Sequence, residues 1–182
     1  MFQKIEIRLS GSGGQGLILG GIILADAAIE DGLNAIQSQS YGPEARGGAS
    51  KAEVIISKDE IYYPKVINND LLLCLTQKSY DKYIDSLNKC GILIIDESVE
   101  IDENNTYKTF KLPIINTAIN EIGTPMVANI VSLGVIHEVC KVLDEEVLKS
   151  SIVKRVPPGT GDLNIKAFEK GKSLVKGWFY EQ

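Results

Sequence analysis

The chain has 182 residues, 44% of them hydrophobic, and a formal net charge of −5. This length and composition predict a single globular domain, residues 1–182, that can bury roughly 70% of its unfolded surface without a disulfide or a metal. Acidic and basic residues are interspersed, which argues against nucleic acid or an anionic membrane as a partner. The N-terminus lacks the features of a signal peptide and no apolar run has the length of a membrane span, so we expect a cytoplasmic protein.

The first part of the chain predicts a strand, a glycine-rich turn and a helix. Apolar and charged residues alternate up to Leu9, which is the pattern of a strand, and the apolar stretch Leu17–Ile29 predicts a helix that is buried nearly all round. The turn between them reads Gly11-Ser12-Gly13-Gly14-Gln15-Gly16. Glycine permits so sharp a reversal, and the free N–H groups at the start of the following helix favour an anion as ligand.

This glycine turn fits the GxGxxG motif, but two sharper interpretations of the motif fail. A dinucleotide site expects an acidic residue at the end of the second strand, and here residues 37–40 are Gln, Ser, Gln and Ser. A phosphate-loop NTPase needs Lys and then Ser or Thr after the last glycine, where this chain has Leu17 and Ile18. The spacing alone leaves open whether the glycines bind an anion or only shape a tight strand-to-helix connection.

A second unusual stretch, Tyr41–Gly48, follows the second predicted strand, Leu33–Ser38. It combines Pro43 and three glycines with an aromatic, an acid and Arg46, which a plain connector does not need. This composition favours a binding loop over a polar linker. The alternating strand Ser50–Ser57 comes next, and a turn that returns through Ile61, Tyr62 and Tyr63 predicts a β-hairpin after the second strand.

From residue 68 onward, short apolar strands alternate with helices. Strands are predicted at Asp70–Leu75, Gly91–Ile95 and Thr106–Leu112, and helices at Thr76–Leu87, Ile114–Ile122, Met126–Val142, Glu145–Val153 and from Asp162 to about Trp178. The alternation predicts an α/β fold with a doubly wound, mostly parallel, Rossmann-like sheet and helices on both faces. Ligands of such sheets bind at the carboxyl ends of the strands, so we expect the glycine turn and the Tyr41–Gly48 loop at that one edge.

The spacing of the residues that usually serve catalysis or metal binding favours neither role. Cys74, Cys90 and Cys140 are far apart and form no CxxC pair, which disfavours a metal or cluster site. His137 lies within an apolar helix with no Ser, Cys or acid spaced to form a triad, so we expect a structural histidine.

The two unusual stretches together carry a family resemblance. The turn Gly11–Gly16, followed at this distance by Ser38-Gln-Ser-Tyr-Gly-Pro-Glu-Ala-Arg-Gly-Gly48, resembles the gamma subunit of the 2-oxoacid:ferredoxin oxidoreductases. The helix start Thr124-Pro125-Met126 and the segment Asn164–Gly171 also fit, and the resemblance covers essentially the whole chain. The Ser-Tyr-Gly-Pro-Glu form of the loop is more similar to 2-oxoglutarate enzymes than to pyruvate enzymes.

The resemblance implies one subunit of a hetero-oligomeric complex that oxidatively decarboxylates a 2-oxoacid, forms an acyl-CoA and passes electrons to ferredoxin. It favours 2-oxoglutarate and succinyl-CoA as the pair. The implied partners are an alpha subunit, a thiamine diphosphate-binding beta subunit and a ferredoxin-like delta subunit. Thiamine diphosphate, Mg²⁺ and iron–sulfur clusters are expected in those partners, because this chain has neither a GDG motif followed by Asn nor a cysteine cluster.

Coenzyme A is the ligand that the resemblance implies for this subunit, in a site shared with other subunits. The candidate site residues are Gly11, Ser12, Gly13, Gly14, Gln15, Gly16, Tyr41 and Arg46. A helix end contributes roughly 0.3–1 kcal/mol to binding an anion, whereas millimolar affinity needs about 4 kcal/mol. We therefore expect Arg46 or another subunit to help.

Two other functions stay open from the residues alone. A free-standing NAD-dependent reductase would share the opening turn, but it should show an acid after the second strand and catalytic residues of its own. A non-catalytic scaffolding or regulatory domain with a Rossmann-like fold would keep the interface and bind no nucleotide.

Overall fold

A computed structural model describes residues 2–39, 48–102 and 104–180, with side chains as far as residue 177. The strands are β1 (Lys4–Ser12), β2 (Asn34–Gln39), β3 (Ala49–Ser57), β4 (Asn69–Cys74), β5 (Leu87–Asp96) and β6 (Lys108–Leu112). The helices are α1 (Leu17–Glu30), α2 (Gln77–Tyr83), α3 (Ile114–Asn116), α4 (Ala128–Cys140), α5 (Glu145–Arg155) and α6 (Gly161–Tyr180). A 3₁₀ turn follows α2 (Ile84–Ser86), a π-helical turn extends α3 (Thr117–Ile122), and a 3₁₀ turn precedes α4 (Pro125–Val127).

The six strands form one sheet in the order β2-β3-β1-β4-β5-β6. The pairings of β1 with β4, β4 with β5 and β5 with β6 are parallel, whereas β3 runs antiparallel to both of its neighbours. The predicted α/β class with a mostly parallel sheet is confirmed. Because β3 is antiparallel to both β1 and β2, β2 points in the same direction as β1.

The predicted hairpin between Ser50–Ser57 and residues 61–63 is wrong. Residues 61–63 form no strand, and β3 instead lies between β2 and β1. Its alternate residues Ala52, Val54 and Ile56 are buried on one face of the sheet, as an interior strand requires. Glu53 on its other face can also be buried because its carboxylate accepts hydrogen bonds from Arg8 and Lys51.

Helices cover both faces of the sheet, as predicted. One face packs against α1, α4, α5 and α6 in a large core that includes Leu24, Leu133, Ile152 and Phe168. The opposite face carries a smaller core built around Tyr83 at the end of α2. None of the helices in the described part of the chain combines the length and the apolar character that a membrane span needs.

Candidate functional site

The glycine turn lies at the carboxyl edge of the parallel strands, as the sequence predicts. Strand β1 continues through Gly11 and Ser12, which lie opposite Ser50 and Ala49 of β3, and α1 starts at Leu17. The register therefore places the start of β3 beside the end of β1.

The described residues that flank the Tyr41–Gly48 loop lie at this same edge. Gln39, the last residue of β2, is opposite Ala52, and β3 begins at Ala49. The expectation that the loop and the turn share one edge holds for these flanking residues. Tyr41 and Arg46 themselves fall outside the described residues.

Backbone conformation requires glycine at two positions of the turn. Gly14 has φ +87° and Gly16 has φ +70°, both in the left-handed region that residues with a side chain rarely adopt. Gly16 is the N-cap of α1 and supplies no capping side chain, and the first turn of α1 carries no acidic residue. The N–H groups at the start of α1 thus keep the partial positive charge that attracts an anion.

The Gln15 side chain folds back into the turn and stabilises it through a hydrogen bond. Its Oε1 atom accepts a hydrogen bond of 2.7 Å from the N–H of Ser12. A Cβ at Gly11 would lie only 2.2 Å from that oxygen, so a side chain at this position would displace the Gln15 amide. Gly11 is buried, whereas Ser12, Gly13 and Gly14 are exposed and form the accessible part of the turn.

Asn129 of α4 stabilises the other side of the turn through a hydrogen bond. This residue was not predicted from the sequence. Its Nδ2 atom donates to the carbonyl oxygen of Gly16 at 3.0 Å, across 113 residues of sequence. A Cβ at Gly16 would lie 2.6 Å from Nδ2, so this glycine also makes room for a side chain. The signal in the sequence is weak: a polar residue in the first turn of a mostly apolar helix.

An open depression of about 430 Å³ lies in front of the turn. One part of its wall is polar, with Ser12, Gly14 and Gln15, and another part is apolar, with Ile18 and Ile22 of α1. Among the described residues, no charged side chain lines it. Backbone N–H groups would attract an anion bound there. Any positively charged side chain has to come from residues outside this lining.

The basic residues of β1 and β3 are engaged on the opposite face of the sheet. Arg8 is 5% exposed, and its guanidinium lies 2.6 Å from a Glu53 carboxylate oxygen, which also lies 2.8 Å from the Lys51 ammonium. Arg8 and Lys51 also lie over the Tyr83 ring, at 5.4 and 5.9 Å from its centroid. These two residues therefore supply no cation to the depression.

The surroundings of Cys74 and Cys140 favour the neutral thiol. Burial raises the pKa of the Cys74 thiol to about 12 and that of the Cys140 thiol to about 12. Both groups are therefore protonated and behave as small apolar side chains near neutral pH.

His137 lies in the core, 9% exposed, with its ring centroid 5.6 Å from that of Phe168. Nε2 lies 3.4 Å from a carboxylate oxygen of Glu145, and Nδ1 has no hydrogen-bond partner among the described residues. Burial is the main cause that lowers the pKa of His137, and it outweighs the opposing effect of Glu145. No nucleophile is hydrogen-bonded to His137 in the described part of the chain.

Comparison with known proteins decides the family. The family model described as pyruvate ferredoxin/flavodoxin oxidoreductase matches residues 6–174. The chain belongs to this family. It is 46% identical to the 2-oxoglutarate synthase subunit KorC of Methanocaldococcus jannaschii, over 94% of both chains. It is also 31% identical to the pyruvate synthase subunit PorC of the same organism, over 91% of this chain and 93% of PorC.

Solved structures agree with this membership. The gamma subunit of a keto/oxoacid ferredoxin oxidoreductase from Geobacter sulfurreducens superposes with a TM-score of 0.85 at 47% identity, over 95% of this chain and 99% of that one. The resemblance to a gamma subunit is thereby confirmed. A 2-oxoglutarate:ferredoxin oxidoreductase from Magnetococcus marinus, solved with 2-oxoglutarate, coenzyme A and succinyl-CoA, shares the fold at 24% identity, with a TM-score of 0.88 over 97% of this chain and 32% of that one.

Proposed function

We propose that this chain is the gamma subunit of a complex that converts 2-oxoglutarate and coenzyme A to succinyl-CoA and CO₂, and passes the two electrons to ferredoxin. The difference in identity between its 2-oxoglutarate synthase relative, at 46%, and its pyruvate synthase relative, at 31%, supports this choice of 2-oxoacid. We propose that residues 1–182 act in that complex as one domain.

The redox chemistry belongs to partner subunits in this proposal. An alpha subunit, a beta subunit with thiamine diphosphate and Mg²⁺, and a ferredoxin-like delta subunit with iron–sulfur clusters would complete the enzyme. Support comes from the sequence spacing of Cys74, Cys90 and Cys140, which are far apart and form no CxxC pair. The role left for this chain is to bind part of coenzyme A and to hold the complex together.

The glycine turn is the part of the chain that fits coenzyme A. The ligand joins phosphates to a less polar arm, and the depression joins backbone N–H groups to an apolar strip of α1. Ser12, Gly13 and Gly14 present the accessible backbone, while Gly11, Gln15 and Gly16 maintain its shape. The exposed turn at the carboxyl edge is the observation that supports this role best.

The site needs more positive charge than the described residues supply. A helix end contributes about 0.3–1 kcal/mol, and millimolar binding requires about 4 kcal/mol. We propose that Arg46 adds a charge-assisted hydrogen bond of about 1.5–3 kcal/mol and that Tyr41 supplies an aromatic surface from the same loop. Both follow β2, whose end lies at the edge that carries the turn.

Two substitutions at Ser12, by residues that are isosteric with each other, test the anion site. Ser12 is exposed and has extended backbone, so it accepts larger side chains. Ser12→Glu places a carboxylate near the phosphate, and at about 6 Å this repulsion is worth about 1–1.5 kcal/mol, or about a tenfold rise in the KM for coenzyme A. Ser12→Gln has nearly the same size without the charge and should leave the KM close to wild type.

The measurement uses the assembled complex, with coenzyme A varied at saturating 2-oxoacid. An equal KM for Ser12→Glu and Ser12→Gln would show that no phosphate lies at the turn. The choice of 2-oxoacid is tested separately, because the same complex should turn over 2-oxoglutarate and not pyruvate. Preferential turnover of pyruvate would refute the 2-oxoglutarate assignment and leave the anion site untouched.

A further inference from the structure

The peptide that joins the glycine turn to α1 is held by a side chain from a different helix. Asn129 is 3% exposed and lies in the first turn of α4. Its Nδ2 atom donates to the Gly16 carbonyl oxygen at 3.0 Å, and this oxygen also accepts the N–H of Gly20 at 3.0 Å. We propose that Asn129 is a positioning residue for coenzyme A, and this inference rests on the function proposed above for the turn.

The direction of the Asn129 amide is fixed by a second hydrogen bond. Its Oδ1 atom accepts the N–H of Ile130 at 2.9 Å. An N–H can bond only to the oxygen of the amide, so Nδ2 has to face Gly16. Asparagine supplies both a donor and an acceptor at this place, and no other side chain of the same size does so.

Because the peptide is planar, holding the Gly16 carbonyl also fixes the direction of the next N–H, on the ligand side of the turn. In a planar trans peptide, the carbonyl of one residue and the N–H of the next point in opposite directions. Asn129 holds the Gly16 carbonyl toward α4, so the N–H of Leu17 is directed the opposite way. Leu17 lines the depression in front of the turn. Asn129 thereby aims the first N–H of α1 at the position proposed for the phosphate.

The left-handed Gly16 needs such a restraint. Glycine populates many backbone conformations when nothing fixes it, and Gly16 has no side chain of its own to anchor it. The contact is close, because any Cβ at Gly16 would lie 2.6 Å from Nδ2. The turn is thus preorganised by α4, and coenzyme A does not have to order it on binding.

Asn129→Ala tests the proposal in the assembled complex. It removes the donor, adds no charge and places the best helix former in α4. We expect the KM for coenzyme A to rise about fivefold or more, with the KM for the 2-oxoacid and the kcat at saturating coenzyme A within about twofold of wild type. Asn129→Asp keeps the Oδ1 acceptor and turns an oxygen toward the Gly16 carbonyl, so it should raise the same KM further.

Ser132→Ala is the matched control on the same helix. Ser132 is 1% exposed and its hydroxyl donates to the Ala128 carbonyl at 2.8 Å, away from the turn. If Asn129 only stabilises the fold, Asn129→Ala and Ser132→Ala will both lower the Tm and leave the KM for coenzyme A unchanged. That result would overturn the positioning role.

The Ser12 variants separate this proposal from the one on which it rests. A raised KM for coenzyme A in Ser12→Glu together with an unchanged KM in Asn129→Ala refutes the positioning role alone. An unchanged KM in Ser12→Glu refutes the anion site and the positioning role with it. If Asn129→Asp does not assemble, Asn129→Ala decides the question without it.

Discussion

Two glycines allow α4 and α6 to cross with their backbones in contact, and substituting one of them should destabilise the protein sharply. A Cβ at Gly134 of α4 would lie 2.0 Å from the carbonyl oxygen of Phe168, and a Cβ at Gly171 of α6 would lie 2.0 Å from that of Val131. In each case the obstructing atom belongs to the backbone of the other helix, so no rotamer change can relieve the clash. Gly171→Ala is the substitution of choice.

The expected magnitude follows from the two opposing effects of the added methyl group. Carbon–oxygen contacts between helices lie at about 3.3–3.6 Å, so the helices must separate locally by more than about 1 Å. Overpacking of this kind costs about 3 kcal/mol at the upper end of its usual range. Replacing a helical glycine by alanine recovers about 1 kcal/mol of propensity. The net loss should be about 2 kcal/mol, which lowers the Tm by about 4–8 °C in a domain of this size.

Gly177→Ala is the control, because it makes the same chemical change six residues further along α6. A Cβ at Gly177 would meet no atom of the described residues within 4 Å. Only the propensity effect then operates, and the Tm should rise by up to about 2–4 °C. Thermal unfolding of the three purified chains, followed by circular dichroism, measures both shifts.

Close packing at the crossing is refuted if Gly171→Ala unfolds at or above the wild-type temperature. A second test uses the double variant Gly134→Ala with Gly171→Ala. Because one Cβ already separates the helices, the second should cost less than it does alone, and the two losses should not add. Full additivity would show that the two glycines do not share one contact.

Three further predictions concern pH, catalysis and the binding loop. Burial lowers the pKa of His137 below 6.5, so the unfolded chain binds this proton more readily, and the free energy of unfolding should fall as the pH drops below about 6.5. His137→Phe should lose that dependence in urea unfolding, and an unchanged dependence would assign it to another group. The purified chain alone should not oxidise 2-oxoglutarate with a dye acceptor, and turnover by the isolated chain would contradict the division of labour. Arg46→Ala should weaken co-purification with the partner subunits or raise the coenzyme A requirement by the loss of about 1.5–3 kcal/mol, and wild-type behaviour in both assays would remove Arg46 from the site.

Much of the fold was predictable because its signals are local. The buried strands at positions 70–75 and 91–95 are short apolar runs, and glycine and proline mark the ends of several helices. The turn that begins at Gly11 was placed at the correct edge from the alternation of strands and helices alone. The family resemblance was also readable from two short stretches, since both consist of residues with unusual backbone or side-chain properties.

The position of β3 could not be read from its own residues. Its alternation suits a hairpin as well as an interior strand, and the choice depends on Arg8, a residue of another strand that neutralises Glu53. An ion pair across 45 residues leaves no periodic signal in either segment.

The sequence by itself determined the class of fold, the place of the glycine turn and the family. Only the tertiary structure decided what each glycine does. Gly16 combines a left-handed backbone with a close contact to Asn129 of α4, and Gly171 is a glycine because the Val131 carbonyl occupies the space of its missing side chain. Propensity and periodicity describe a residue and its near neighbours, whereas a close contact depends on an atom that folding brings from a distant part of the chain.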